Sequence, residues 1–211
     1  TFANRFPNKS IFFGNTLLNG TNIIDKCCAI NTYGLDKLNP TIPSSLVKKS
    51  VFDDYNNYFI QSKSHYDSYW IKKNLNSERS IINHDLVIGY INTNYASSYH
   101  NVFKKSLYYS KSLKEVYPIK AYIFLFGLVI VVSLSLIYLK LLPYIFILYI
   151  IFKIILIPIY KNKTLKIYKK IKYNLLSLLY TSFLLDIGRI TGIVLSLFNK
   201  NNNMINHYKN K

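Results

Sequence analysis

Hydrophobic and polar positions are spread unevenly along the 211 residues, and the unevenness divides the chain. From Ala121 to Leu139 the text AYIFLFGLVIVVSLSLIYL carries no charge. At ~1.5 Å per helical residue such a run nearly crosses the ~30 Å of a bilayer's hydrocarbon, which takes ~20 apolar residues. Lys120 and Lys140 bracket it as snorkelling anchors, and Tyr122 and Tyr138 sit where an aromatic belt would place them. Pro118 stands just before the run, where a helix start tolerates proline. A second run, Leu141 to Tyr160, is broken only by Lys153, which lies toward the end of its segment and is expected to reach the surface as an anchor. The connection through Lys140 and Pro143 is short. It predicts a transmembrane hairpin over 118–160, with one long helix kinked at Pro143 as the alternative.

A third apolar run, Leu175 to Phe198, differs in texture. It contains one acid and one base, Asp186 and Arg189, three apart and therefore on one helix face. Gly188 and Gly192 form a small-xxx-small pair that lets another helix approach closely. These features predict a helix packed inside a protein assembly, as a third span or a buried helix.

Ahead of these runs, residues 1–117 are polar with scattered aromatics. Turn signals such as Asn19-Gly20, Tyr33-Gly34 and Asn39-Pro40 cut the first 45 residues into short pieces. The region from Val51 to Ile82 reads as holding a helix or two, since Val51, Tyr55, Tyr58 and Phe59 recur at helical spacing, and Leu86 to Ile91 reads as a strand. Clustered aliphatics are too few for a large independent core, and aromatics too many for an ordinary disordered tail. An extended arm held by partner subunits fits that balance. The predicted fold class is mainly α: a polytopic membrane protein with two to three transmembrane helices and an extended, partly irregular N-terminal arm. Its parts are the arm at 1–117, the hairpin at 118–160, a basic linker at 161–174, the third helix at 175–198 and a polar tail at 199–211.

Charge sharpens this picture. The formal net charge is +18, which points to anionic surroundings, lipid head groups or nucleic acid. Lys161, Lys163, Lys166, Lys169 and Lys170 crowd the linker beside the apolar runs and are candidates for lipid head-group contact. Composition tempers the weight of any one lysine. Phe, Tyr, Ile, Asn and Lys share AT-rich codons, and only Arg5, Arg79 and Arg189 represent arginine, so a retained Arg says more than a Lys.

Candidate chemistry is sparse. Asp186 and Arg189 stand out because charges in an apolar helix pair or face a polar cavity; a packing ion pair, with Gly188 and Gly192 beside it, is the expected role. Cys27 and Cys28 are vicinal with no second pair to complete a metal site, so they read as small buried residues. His65, His84, His100 and His207 are scattered, and no phosphate-binding glycine loop, nucleophile elbow or carboxylate pair is present. No catalytic, cofactor-binding or metal site is expected. A structural phospholipid such as cardiolipin is the one bound group the pattern suggests.

The Phe/Tyr/Ile/Asn/Lys-heavy text, as in YNNYF at Tyr55 to Phe59 and ILYIIFKIILIPIY at Ile147 to Tyr160, resembles the orphan membrane proteins encoded in the mitochondrial genomes of ciliates and similar protists. That resemblance implies a non-catalytic structural or assembly subunit of an inner-membrane respiratory-chain complex or supercomplex. Its partners would be other subunits and anionic phospholipid. Two alternatives accompany it: a membrane-sector subunit of mitochondrial ATP synthase, and a mitochondrial ribosome component that binds RNA through its basic runs.

Overall fold

A computed structural model describes residues 2–35, 37–53, 59, 65–91 and 96–198. In chain order these form β1 (Ile11–Asn19), α1 (Ile23–Asn31), β2 (Leu38–Val47), α2 (Tyr66–Asn74), β3 (Ser80–Ile91), α3 (Tyr99–Lys111), α4 (Leu113–Val116), α5 (Pro118–Ile137), α6 (Leu142–Ile151), α7 (Ile157–Asn162), α8 (Ile167–Lys170) and α9 (Leu175–Phe198). The protein is mostly helical with one small sheet.

The sheet has the order β2-β1-β3, with β2 antiparallel and β3 parallel to β1. The strand read at Leu86 to Ile91 is the second half of β3, whereas β1 and β2 lie in the stretch taken as an irregular arm. Gly14 shows why that stretch is hard to read. Both ladders shift register around it, and a Cβ there would collide with the Ser44 carbonyl oxygen, so β1 carries a bulge that erases its period-2 pattern. Of the helix or two expected between Val51 and Ile82, α2 lies in that range; Val51 itself sits in a 3₁₀ turn, Lys49–Phe52, and Tyr55 and Tyr58 lie outside the described residues. The tail at 199–211 lies outside them as well.

Three apolar clusters hold the body together. In the first, Trp70 of α2 lies among Phe13, Phe52 and Phe59, at ring-centroid distances of 6.0, 6.0 and 5.3 Å, and closes the sheet over Ile11 and Val51. The second joins Cys27, Ile30 and Leu35 to Ile167, Ile171 and Leu178, so the basic linker is pinned by its two isoleucines while lysines turn outward. The third joins Cys28 to Ala96, Val102 and Leu185. Burial pushes both cysteine thiols up to about 12, which makes them inert core groups at neutral pH.

Helix α9 is the spine of this body. Asn174 caps it by accepting the Ser177 N–H at 3.0 Å, and one face is small or polar: Ser177, Thr181, Ser182, Gly188 and Gly192 are all buried. Helix α3 lies along that face, capped by Ser98. Tyr99 bonds Ser177, Ser106 Oγ donates to the Leu185 carbonyl at 2.6 Å, and Ser110 sits against Gly192, so the two helices run parallel. The predicted small-xxx-small approach is therefore made within the chain. A Cβ on Gly188 would stand 2.9 Å from the Phe103 carbonyl oxygen, and one on Gly192 2.6 Å from that of Leu107.

Among the described residues two helices are long and apolar enough to cross a membrane, the continuous run Leu139–Asn162 and α9. A further apolar helix, α5, precedes them. The chain leaves helical geometry at Tyr138 (φ −126°, ψ 74°), and Pro143 falls in the first turn of α6, so α5 does not continue through Pro143 as one long kinked helix. The side-by-side hairpin of α5 and α6 differs from what is observed: α5 adjoins α4 and the 3₁₀ turn Leu139–Leu141, and does not lie along α6. Apolar character predicted both helices; the turn between them fixed how they are arranged, and no residue pattern encodes that.

Candidate functional site

The charged groups of the apolar helices meet at one place. The run Leu139–Asn162 relaxes into a π-turn over Phe152–Leu156 just ahead of Pro158. Proline lacks an N–H, so the carbonyl four residues back, that of Ile154, loses its helical donor. Tyr168 of α8 replaces it, donating its hydroxyl to the Ile154 oxygen at 2.6 Å. Burial raises the Tyr168 phenol above its ordinary value, as expected for a hydroxyl engaged away from water. The widened turn holds Lys153 inside the protein, 8% exposed. This corrects the expected surface anchor: the snorkelling argument treated Lys153 as alone, whereas a carboxylate is within its reach.

That carboxylate is Asp186 of α9. Its Oδ2 accepts Lys153 Nζ at 2.5 Å and the Tyr149 hydroxyl at 3.0 Å, and its Oδ1 accepts Arg189 Nη1 at 3.2 Å. Tyr149 and Lys153 are four apart on one face, and Lys153 Nζ lies 5.6 Å from the Tyr149 ring centroid. The Asp186–Arg189 pair was legible from spacing; Tyr149 and Lys153 were not, because which segment faces α9 cannot be read from either segment. Three donors hold Asp186, two on Oδ2 and one on Oδ1. The cluster contains no activated nucleophile and no open general base, and its chemistry is that of a clamp between two helices.

Sequence-predicted lysines of the linker are placed differently. Lys163, Lys166, Lys169 and Lys170 are exposed and Lys161 is half-buried, all on the segment joining the two long helices. Between them, Asn162 is a brace: it accepts the Leu35 N–H at 2.6 Å and donates to the Ile30 and Pro158 carbonyls at 3.2 and 2.7 Å. Near α1, burial raises the Asp25 carboxyl, partly offset by the Thr21 N–H and the charge of Lys105. Among the described residues no three His, Cys, Asp or Glu side chains come together in a way that could hold a metal ion. Comparison of the chain with protein-family models, with curated proteins and with solved structures found no match.

Proposed function

We propose that the chain is an integral-membrane structural subunit: a folded body built around α9 that sends two bare apolar helices, α5 and the run from Leu139, into hydrocarbon or against the apolar helices of partners. One observation carries the reading. Ile123, Phe126 and Leu136 are exposed by 67, 68 and 73%, and Phe146 and Leu148 by 58 and 65%, on helices with almost no polar residues. A water-soluble monomer rarely leaves so continuous an apolar surface uncovered. From Tyr149 onward the helix meets the body through Asp186, so its bare part ends where that cluster begins.

The setting, a multi-pass protein of the mitochondrial inner membrane serving a respiratory-chain assembly, rests on the textual resemblance described above. Asp186, held by Lys153, Tyr149 and Arg189, favours a packing role over the proton-carrying neighbourhood that an ATP synthase subunit would use. Alkaline carbonate extraction is the test of insertion: the chain stays with the membrane pellet, and its release would refute the proposal. Resolving detergent-solubilised membranes on a native gel tests the setting. Co-migration with dehydrogenase or oxidase activity supports it, and co-migration with ATPase activity replaces it with the alternative.

A further inference from the structure

Beside the linker, three lysines from separate elements converge on one cleft. Lys26 of α1, Lys170 at the end of α8 and Lys172 of the following turn line a half-open space of about 330 Å³, together with Thr21, Ile23, Ile171 and Asn174. No acidic residue lines it. Asp25, next to Lys26, is buried and turned onto the Thr21 N–H at 3.4 Å, while Asn22 accepts the Asp25 N–H at 2.8 Å. The start of α1 is therefore already capped, and the lysines, not the helix end, give the cleft its character. Among the described residues neither Lys26 nor Lys172 forms an ion pair. Lys172 and Tyr173 both hold left-handed backbone, at φ 51° and 53°, a conformation that side-chain-bearing residues adopt at some energetic expense. Bonds from the Lys172 and Tyr173 N–H groups to the Lys169 and Tyr168 carbonyls, at 2.9 and 2.8 Å, fix that turn.

We infer that this cleft binds a phosphate group, the two unpaired ammonium groups and Lys170 supplying the charge and Ile171 and Ile23 an apolar wall beside it. Converging like charges repel, and an anion carrying several acceptor oxygens relieves that repulsion through charge-assisted hydrogen bonds. Two sources share this chemistry. The cleft adjoins the segment between the two long helices, so on the membrane reading it lies at head-group level, where an anionic phospholipid presents its phosphate. A soluble phosphomonoester would fit the same groups, and that case does not rest on the membrane reading.

The test uses the full chain in mild detergent and measures binding of phosphatidic acid, phosphatidylcholine and glycerol 3-phosphate. Two double variants are compared, each removing two charges: Lys26→Gln with Lys172→Asn, where Asn tolerates the left-handed backbone, and Lys49→Gln with Lys104→Gln at exposed positions away from the linker. The first pair is expected to weaken binding about tenfold or more and the second less than about twofold, the scale of losing direct charge-assisted bonds rather than diffuse attraction. Phosphatidic acid binding that glycerol 3-phosphate does not displace identifies the lipid source; equal sensitivity of glycerol 3-phosphate binding identifies a soluble one. Equal losses in both pairs, or no preference for phosphatidic acid over phosphatidylcholine together with no glycerol 3-phosphate binding, overturns the site. If the first double variant fails to fold, Lys26→Gln alone carries the same comparison. Binding of glycerol 3-phosphate by a chain that carbonate releases would leave the site standing and remove the membrane reading.

Discussion

The runs Leu139–Asn162 and Leu175–Phe198 are both 24-residue apolar helices, yet 11% of the first one's apolar window is buried and 44% of the second's. Both are apolar enough to span a bilayer, and length does not separate them. Texture does. The second presents Ser177, Thr181, Gly188 and Gly192 along one face, where α3 can approach to backbone distance, and the first presents large aliphatic and aromatic groups all round. A stripe of small residues marks a helix that will be covered by its own protein, and its absence leaves a surface that only lipid or a partner can cover.

The largest effect is expected where the two helices join. Asp186→Asn leaves the Lys153 ammonium buried without its counter-ion and should lower stability by about 3 to 5 kcal/mol, read as a shift in the unfolding midpoint in detergent. Adding Lys153→Met to Asp186→Leu should restore most of that loss, because the buried ammonium goes with its partner while the partly exposed Arg189 keeps water. A loss of under about 1 kcal/mol for Asp186→Asn would mean that the pair is solvated and that the first helix is not clamped to the second. The sheathed helix itself is probed by Gly192→Ala. The new methyl would press on the Leu107 carbonyl and Ser110, and about 1 to 3 kcal/mol of destabilisation is expected.

How the sequence announced these features differs from one to the next. Apolar runs without charge are read over many residues at once, so α5, the run from Leu139 and α9 were all legible, as was the pairing of Asp186 with Arg189 at a spacing of three. Long-range partners were not. Lys153 looked like a lone anchor because Asp186 is 33 positions away, and no local pattern marks Asn162 because the Leu35 N–H it accepts belongs to α1's exit loop. The sheet was only half visible: β3 retains a legible apolar run, whereas the bulge at Gly14 in β1 and Pro40 and Pro43 within β2 break the alternation on which strand reading depends.

A smaller effect should mark the approach to α5. His65 (φ 64°) lies 6.1 and 6.0 Å from the Tyr109 and Tyr117 rings, and Tyr117 caps α5. Burial is the main cause that lowers its imidazole below the ordinary 6.5; Lys120 adds to this, against the Tyr109 carbonyl and Asp67. The unfolded chain therefore binds the proton more readily, so the stabilisation is complete above pH 6.5 and is lost as pH falls from there through the lower folded value. Thermal unfolding followed by the fluorescence of Trp70, the single tryptophan, should show a midpoint that drops below pH 6.5, and His65→Asn should flatten that dependence. A midpoint that is flat in the unmodified chain would place His65 in water.

The smallest expected effect is also the sharpest contrast with Gly192. Gly127 stands midway along α5, and a Cβ built there meets nothing within 4 Å. Alanine at such a position restricts the unfolded chain and removes the glycine penalty of a helix interior, so Gly127→Ala should leave the isolated protein unchanged or stabilise it by up to about 1 kcal/mol. Set against a loss at Gly192, the same one-methyl change then reads out which helix its own chain covers. Destabilisation of the isolated chain by Gly127→Ala would mean that part of this chain packs on α5 after all, and the contrast between a bare and a sheathed helix would fall with it.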